Sequence, residues 1–341
     1  MPKISMAVLG TCITSKKLDP KWKVFPSILS GKGISVVPVG DSSSTHYFAL
    51  EHSDKSLSKI DKIVDRKHRH LIIVEPKAVH PRQYIESVRN NYGHVLALSR
   101  RHLFGAEGEI WHGGHLDIPS NVISEVEISK NFYRKPKTIG LINENKFSLI
   151  PGSLYKKRYL VIKEFLERDQ EFHLAGRNWG KGNIWSLAKN IHAGTMALRS
   201  QQIPRLNECR LSLDIDNPLL KYHGRVSSQL EFLRSLEFAV VIENEPTYLT
   251  EKLLNAIIAG CVPLFLGPPL SEFGVPDDVA VQVNGIKGSF YEAFRYSNPD
   301  QIASVLLKGR NWITNPETLD RWGVLSGFDR LSARIKELAT E

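Results

Sequence analysis

Residues 238–269 read FAVVIENEPTYLTEKLLNAIIAGCVPLFLGPP, and this stretch decides the fold class. Phe238 to Ile242 is a short apolar, β-branched run, the pattern of a strand buried on both faces. Glu243-Asn244-Glu245-Pro246 breaks that run, and the spacing predicts a helix from near Tyr248 to Ala259. Leu253, Leu254, Ile257 and Ile258 fall on one stripe of it, with Lys252 and Asn255 off the stripe. Gly260 stands where a glycine ends a helix, and Cys261 to Leu266 reads as a second buried strand. Strand, helix, strand of this kind is a βαβ unit and implies a parallel sheet.

The polar residues of the stretch crowd one place. Glu243, Asn244, Tyr248, Thr250, Glu251 and Lys252 gather at the strand end and the first helical turn. Open α/β sheets bind ligands beyond the carboxyl ends of their strands. A helix N-terminus offers free N–H groups and partial positive charge to an anion, and Lys252 adds a full charge. On spacing alone, the same residues also suit a strand–helix turn with solvated charges.

Glu243-Asn244, Tyr248-Leu249-Thr250-Glu251-Lys252, Ala259-Gly260-Cys261-Val262-Pro263 and Gly267 together resemble the donor-binding signature of the family-10 glycosyltransferases. These are the GDP-fucose α-1,3/1,4-fucosyltransferases, with a GT-B fold. The close match covers this one stretch, with weaker similarity back towards Lys137. The Ala-Gly-Cys-Val-Pro block also occurs in exostosin-type transferases. The resemblance implies an α/β chain of two Rossmann-like domains with parallel sheets facing a central cleft. It places an acceptor domain at 1–134, a donor domain at 135–318, and a last helical segment at 319–341 that returns to the first domain.

The chain of 341 residues is 42% hydrophobic and 24% charged, which suits two globular domains. No apolar run is long enough to span a bilayer, and Met1 to Cys12 lacks a signal-peptide layout. The expectation is a cytoplasmic, bacterial enzyme, with peripheral contact to an inner membrane left open. Cys12, Cys209 and Cys261 are too far apart in sequence to suggest a disulfide framework or a zinc site. A net charge of +9 fits a diphosphate ligand, an anionic membrane face or a nucleic acid. The charges form no single tract and no helix-turn-helix spacing is present, so nucleic acid is not an expected partner.

Upstream, Ile4–Gly10, His70–Val74 and Val95–Leu98 read as strands, Gly33–Gly40 holds another, and His46–Leu50 is a further apolar stretch. Leu57–Val64 and Pro81–Asn90 have helical spacing, and the alternation describes a first Rossmann-like domain. Glu75 follows directly after the buried LIIV run, so it belongs to the sheet's carboxyl edge. In the resembled family a glutamate at the end of the corresponding strand is the general base, and the resemblance gives Glu75 that role. Glu75 also suits a plainer part, accepting hydrogen bonds from the Lys77–Val79 turn. His80, His112 and His115 are candidates for acceptor contacts; His112 and His115 alone lack the further ligands of a closed metal site.

Downstream of a linker at 121–137, Thr138–Ile142 starts the second sheet, and Ser153 is placed to cap a helix running to Glu167. The resemblance makes Arg158 on that helix a contact for the donor diphosphate, with Lys156 and Lys157 as neighbours able to do the same. After the strand Glu171–Ala175, Gly176 opens a turn that lets the backbone approach a nucleotide. Asp214-Ile215-Asp216 is a D-x-D, read as a loop and not as a metal site. The expected activity is inverting transfer of L-fucose from GDP-fucose to a hydroxyl of an oligosaccharide or lipid-linked glycan, with no metal cofactor. Two alternatives stay open: an exostosin-like transferase with another sugar nucleotide, and a nucleotide- or carbohydrate-binding protein without turnover.

Overall fold

The computed structural model describes residues 2–18, 20–97, 109–110, 136–180, 191, 194–199, 203–204 and 213–341. They divide into two compact units. Unit 1 takes the chain through the first sheet together with the residues from Asp320 onward; unit 2 takes the second sheet and runs to Leu319.

Unit 1 is built on β1 (Lys3–Val8), β2 (Thr11–Cys12), β3 (Ser35–Val37), β4 (His46–Leu50), β5 (Arg69–Ile73), β6 (His94–Ala97) and β7 (Glu109–Ile110). All pairs are parallel except the short β1–β2 hairpin. The order is β1-β4-β5-β6-β7, with β3 and β2 on the other edge of β1. The strand order therefore reverses between β1 and β4, which makes their carboxyl ends a topological switch point. Ala7, Tyr47, Ala49, Leu71 and Ile73 pack on Leu57 and Ile60 of α2 (Asp54–Ile60), whose N-cap Ser53 accepts the Ser56 N–H.

The helix expected over Pro81–Asn90 is broken. Pro81–Tyr84 is a 3₁₀ turn, Ile85 is extended, and α3 covers only Glu86–Arg89. The break frees Gln83 and Tyr84 to bond the Glu75 carbonyl. The amphipathic Leu319–Leu338 segment is likewise two helices, one ending at Trp322 and one running Val324–Thr340. The second packs on α1 (Phe25–Gly31). Phe328 meets Phe25 and Trp22 at ring distances of 5.1 and 4.9 Å, and Lys32 pairs with Asp329 at 2.7 Å.

Unit 2 holds β8 (Ile139–Ile142), β9 (Phe172–Ala175), β10 (Leu220–Gly224), β11 (Phe238–Ile242), β12 (Val262–Leu266) and β13 (Val281–Gln282). The sheet is wholly parallel, in the order β10-β9-β8-β11-β12-β13. That is the 3-2-1-4-5-6 order of a Rossmann sheet, with its switch point between β8 and β11. Val161, Ile162 and Phe165 of α4 (Tyr155–Leu166) lie in the core with Phe172, Phe238 and Val240. Ser153 is not the N-cap of α4; Leu154 is, and Ser153 accepts the Tyr155 N–H from one residue further out.

The deciding stretch folds as a βαβ unit. Phe238–Ile242 is β11, and its residues pair with Val262–Leu266 in register. The helix, α6, which follows α5 (Gln229–Arg234), is Glu251–Ile258 and starts later than expected because Thr250, held extended by Glu243, is its N-cap. Leu253, Leu254, Ile257 and Ile258 are its buried face, each worth about 1.5–3 kcal/mol. Gly260, at φ +69°, ends it. Among the described residues, no helix is long and apolar enough to cross a membrane.

Candidate functional site

Glu243 continues the β11 ladder by donating its N–H to Leu266, but its side chain turns inward and is fully buried. Its Oε1 accepts the Thr250 N–H at 2.8 Å and its Oε2 accepts the Thr250 hydroxyl at 2.7 Å. Thr250 is the N-cap of α6, and its Oγ1 accepts Lys252 Nζ at 2.7 Å. Lys252 Nζ also lies 3.4 Å from Glu243 Oε2, so this buried carboxylate has its own cation. A buried charge without such a partner costs several kcal/mol.

Arg158 supports the same loop from α4. Its NH2 donates to Ile242 O and to Asn244 Oδ1, both at 2.9 Å, and its guanidinium stacks over Tyr155 at 4.6 Å. Only 2% of it is exposed. Burial pulls its pKa down, and Tyr155, Glu243 and Glu251 pull it back up. The Asn244 carbonyl accepts the Leu154 N–H at 2.9 Å. Glu243, Thr250 and Lys252 thus fix the start of α6, Arg158 holds the adjoining Ile242 and Asn244, and Tyr248 is buried in the same loop.

A cavity of about 380 Å³ opens at the carboxyl edge of this sheet, at its switch point. Lys252 and Glu251 line it from α6, and Gly176 lines it from the end of β9. The other sequence-derived donor residues do not line it. Asn143, Glu144, Arg177, Arg225 and Asn255 do, and sequence reading gave none of these a role. Arg177 pairs with Glu144 through two nitrogens. Gly176 has φ +123°, and a Cβ there would stand 1.9 Å from the Asn143 carbonyl oxygen. Only glycine lets the ends of β8 and β9 come so close. Three cations, Arg177, Arg225 and Lys252, line the cavity against two carboxylates, Glu144 and Glu251, and this excess of one positive charge together with the N-terminus of α6 suits an anion.

In unit 1, Glu75 has its backbone held at both ends. Its N–H donates to Glu51 Oε1 at 2.7 Å, and its carbonyl accepts Gln83 Nε2 at 3.0 Å and the Tyr84 hydroxyl at 2.8 Å. Glu51, which the sequence reading passed over, is fully buried at the end of β4. Its signal was available: like Glu75 and Glu243, it is a carboxylate just past a buried apolar run. Burial pushes its carboxyl up to about 8, and the nearby Glu75 charge adds to the rise. His80 keeps a third of its side chain exposed, with Nδ1 3.9 Å from Glu51 Oε2. Burial, with His52 nearby, lowers the His80 pKa.

His112 and His115 lie outside the described residues. Asp214 and Asp216 form a turn in which the Asp214 carboxylate accepts the Asp216 N–H at 3.1 Å. Among the described residues, no three His, Cys, Asp or Glu side chains gather as a metal site.

No protein-family model matches the chain, and no curated protein matches it in sequence. Solved structures do match in fold. The Anabaena protein Alr3699/HepE in complex with UDP and glucose superposes at a TM-score of 0.54 with 12% identity, covering 93% of this chain and 89% of that one. The α,α-trehalose 6-phosphate synthase of Burkholderia multivorans superposes at 0.51 with 9% identity, over 95% of this chain and 78% of that one. At such identity the likeness is one of fold, and the fold is the GT-B type, with parallel α/β sheets.

Proposed function

We propose that the protein is an inverting glycosyltransferase that takes its sugar from a nucleoside-diphosphate donor held in the unit 2 cavity. One observation carries the reading: Glu243, Thr250 and Lys252, part of the stretch that resembles a donor-binding signature, form one bonded network, with Asn244 held beside it by Arg158, next to a cavity at a Rossmann switch point where cations outnumber carboxylates. Lys252, Arg225 and the N-terminus of α6 balance the charge that builds on the departing diphosphate. Arg158 contributes through Asn244, by fixing the loop. Glu75 takes the proton of the acceptor hydroxyl as its oxygen bonds the anomeric carbon and the bond to the β-phosphate breaks. The cations do this work without a divalent metal.

The signature favours GDP-fucose as donor and a glycan hydroxyl as acceptor. A second reading, a UDP-sugar donor, is favoured by the fold likeness to HepE, whose structure contains UDP and glucose. Calorimetric titration with GDP, GDP-fucose, UDP and UDP-glucose, in EDTA, tests both. Binding of GDP and GDP-fucose at least tenfold tighter than the uridine ligands is expected. The reverse order selects the second reading. Binding of none of the four, or only with added Mn²⁺, overturns the proposed site.

A further inference from the structure

Unit 1 has its own switch point, between β1 and β4, and the backbone there is unusual. Glu51 is a non-glycine residue at φ +70°, and Leu9, at the end of the neighbouring strand, has φ +48°. Such conformations cost about 1–3 kcal/mol each and persist where the surroundings impose them. Here the strain turns a glutamate side chain under the strand ends. Glu51 Oε1 accepts two backbone N–H groups, from Val74 at 2.6 Å and Glu75 at 2.7 Å. Its Oε2 has no hydrogen-bond partner, and neither has His80 Nδ1, which faces it across 3.9 Å. Two buried polar atoms left open and facing each other call for an explanation.

We propose that Glu51 is the positioning residue of the proton-transfer site in unit 1: one carboxyl oxygen fixes the backbone of Glu75 and the other fixes the ring of His80. The inference rests on the reading of Glu75 as the base. In its neutral form Glu51 keeps Oε1 as acceptor for the two N–H groups and turns an O–H on Oε2 towards His80 Nδ1. The raised carboxyl pKa and the lowered imidazole pKa both agree with that pairing of neutral partners. If Glu51, itself closed to water, ionises, it sets a second negative charge beside Glu75.

The other charged groups around the pair belong to a separate chain of bonds. His52 Nδ1 lies 2.9 Å from the Tyr92 hydroxyl, and His52 Nε2 lies 3.0 Å from Asp54, which Arg82 also binds at 2.7 Å. Tyr92 and Tyr47 stay neutral, since burial raises both. Asp54 is exposed and paired with Arg82 and His52; these three act on His80 through their charges, His52 and Arg82 lowering its pKa and Asp54 raising it, while Glu75 acts on Glu51.

The test compares Glu51→Gln with Glu51→Ala in the full chain. Glutamine keeps the acceptor oxygen and offers an N–H where the neutral acid offers an O–H; alanine removes both. Glu51→Gln is expected to transfer within about threefold of wild type near pH 6.5 and to lose the wild-type fall in rate above pH 8. Glu51→Ala is expected to lower kcat roughly a hundredfold, as a misplaced base does, with donor KM unchanged. Glu51→Gln as inactive as Glu51→Ala would show that the carboxylate itself is needed and overturn the proposal. So would Glu51→Ala at wild-type rate. NMR titration of the His80 ring supplies a readout independent of turnover and of whether Glu51→Ala folds. In wild type the His80 ring resonances must show a second inflection near pH 8, where Glu51 ionises, and Glu51→Gln must lose it; the same curve in both proteins overturns the contact. If wild type transfers no sugar while that second inflection is present and lost in Glu51→Gln, the function fails and the pairing stands.

Discussion

Lys252 carries two duties at once. It lines the anion cavity, and it balances Glu243, which has no exposed surface. Replacing it therefore confuses binding with stability, because an uncompensated buried carboxylate costs about 3–5 kcal/mol. Lys252→Met should lower the melting temperature and weaken nucleotide binding together. The double variant Glu243→Gln/Lys252→Met should recover most of the stability but not the affinity, losing about 1.5–3 kcal/mol of binding. A double variant that binds as wild type in calorimetry would remove Lys252 from the donor site. Glu75→Gln is the complement: nucleotide affinity within twofold of wild type, transfer at least roughly a hundredfold slower. Wild-type transfer by that variant would mean that another group takes the proton. These residues were legible in the sequence because each is a polar residue just past a buried run or on a helical first turn. Glu51 met the same rule and was missed because its burial depends on the β4–β5 register and on Gln83, which lie far apart in sequence. Arg158 was legible as a cation, but not as a buried one, since its partners come from β11, more than eighty residues on.

Among the elements, the strands were the most readable. The run FAVVI at Phe238–Ile242 and the run LIIV at Leu71–Val74 stand out without their neighbours: short apolar runs rich in β-branched residues and bounded by polar breaks suit a covered strand. Helix starts were less readable, because tertiary bonds set them. Glu243 pins Thr250 and so starts α6 at Glu251, and the Pro81–Tyr84 turn presents the Gln83 and Tyr84 side chains to the Glu75 carbonyl. Close approach of elements leaves a trace in glycine. Gly176→Ala would push a methyl into the backbone carbonyl of Asn143, and the left-handed φ adds strain. A loss of at least about 2 kcal/mol in denaturant unfolding is expected, with nucleotide binding abolished as β8 and β9 part. Gly31→Ala, which meets open space, serves as the control and should cost nothing measurable. Equal effects at the two positions would mean that the β8–β9 approach is not constrained as described.

For the molecule as a whole, unit 1 holds titrating groups that pull in opposite directions. Burial, with His94 and His46 nearby, holds His70 down at about 3 against an ordinary 6.5, and burial with His68 holds His46 at about 4. Protons then bind the unfolded chain more readily, so this stability is full above pH 6.5 and is lost as pH falls towards 3. Glu51 has the opposite sign. Its folded value of about 8 lies above the ordinary 4.5, so its contribution is full below pH 4.5 and is lost as pH rises towards 8. Stability of unit 1 should peak near pH 6.5. At pH 5 the deficit from His70 alone is on the order of 2 kcal/mol. Melting curves between pH 4 and 9 check this, and Glu51→Gln should flatten the alkaline side and steepen the acid side above pH 4.5. A profile level from pH 5 to 8 would contradict the arrangement. The packing of the last helix on α1 has a consequence for synthesis. Phe25 and Trp22 are covered by Phe328, on a helix made only after the whole of unit 2. Roughly 300 residues intervene, so at about 5–20 residues per second the aromatic face of α1 waits on the ribosome for about 15–60 s. Unit 2 can be finished while unit 1 still lacks its lid, and the half of the protein that is made first is the half completed last.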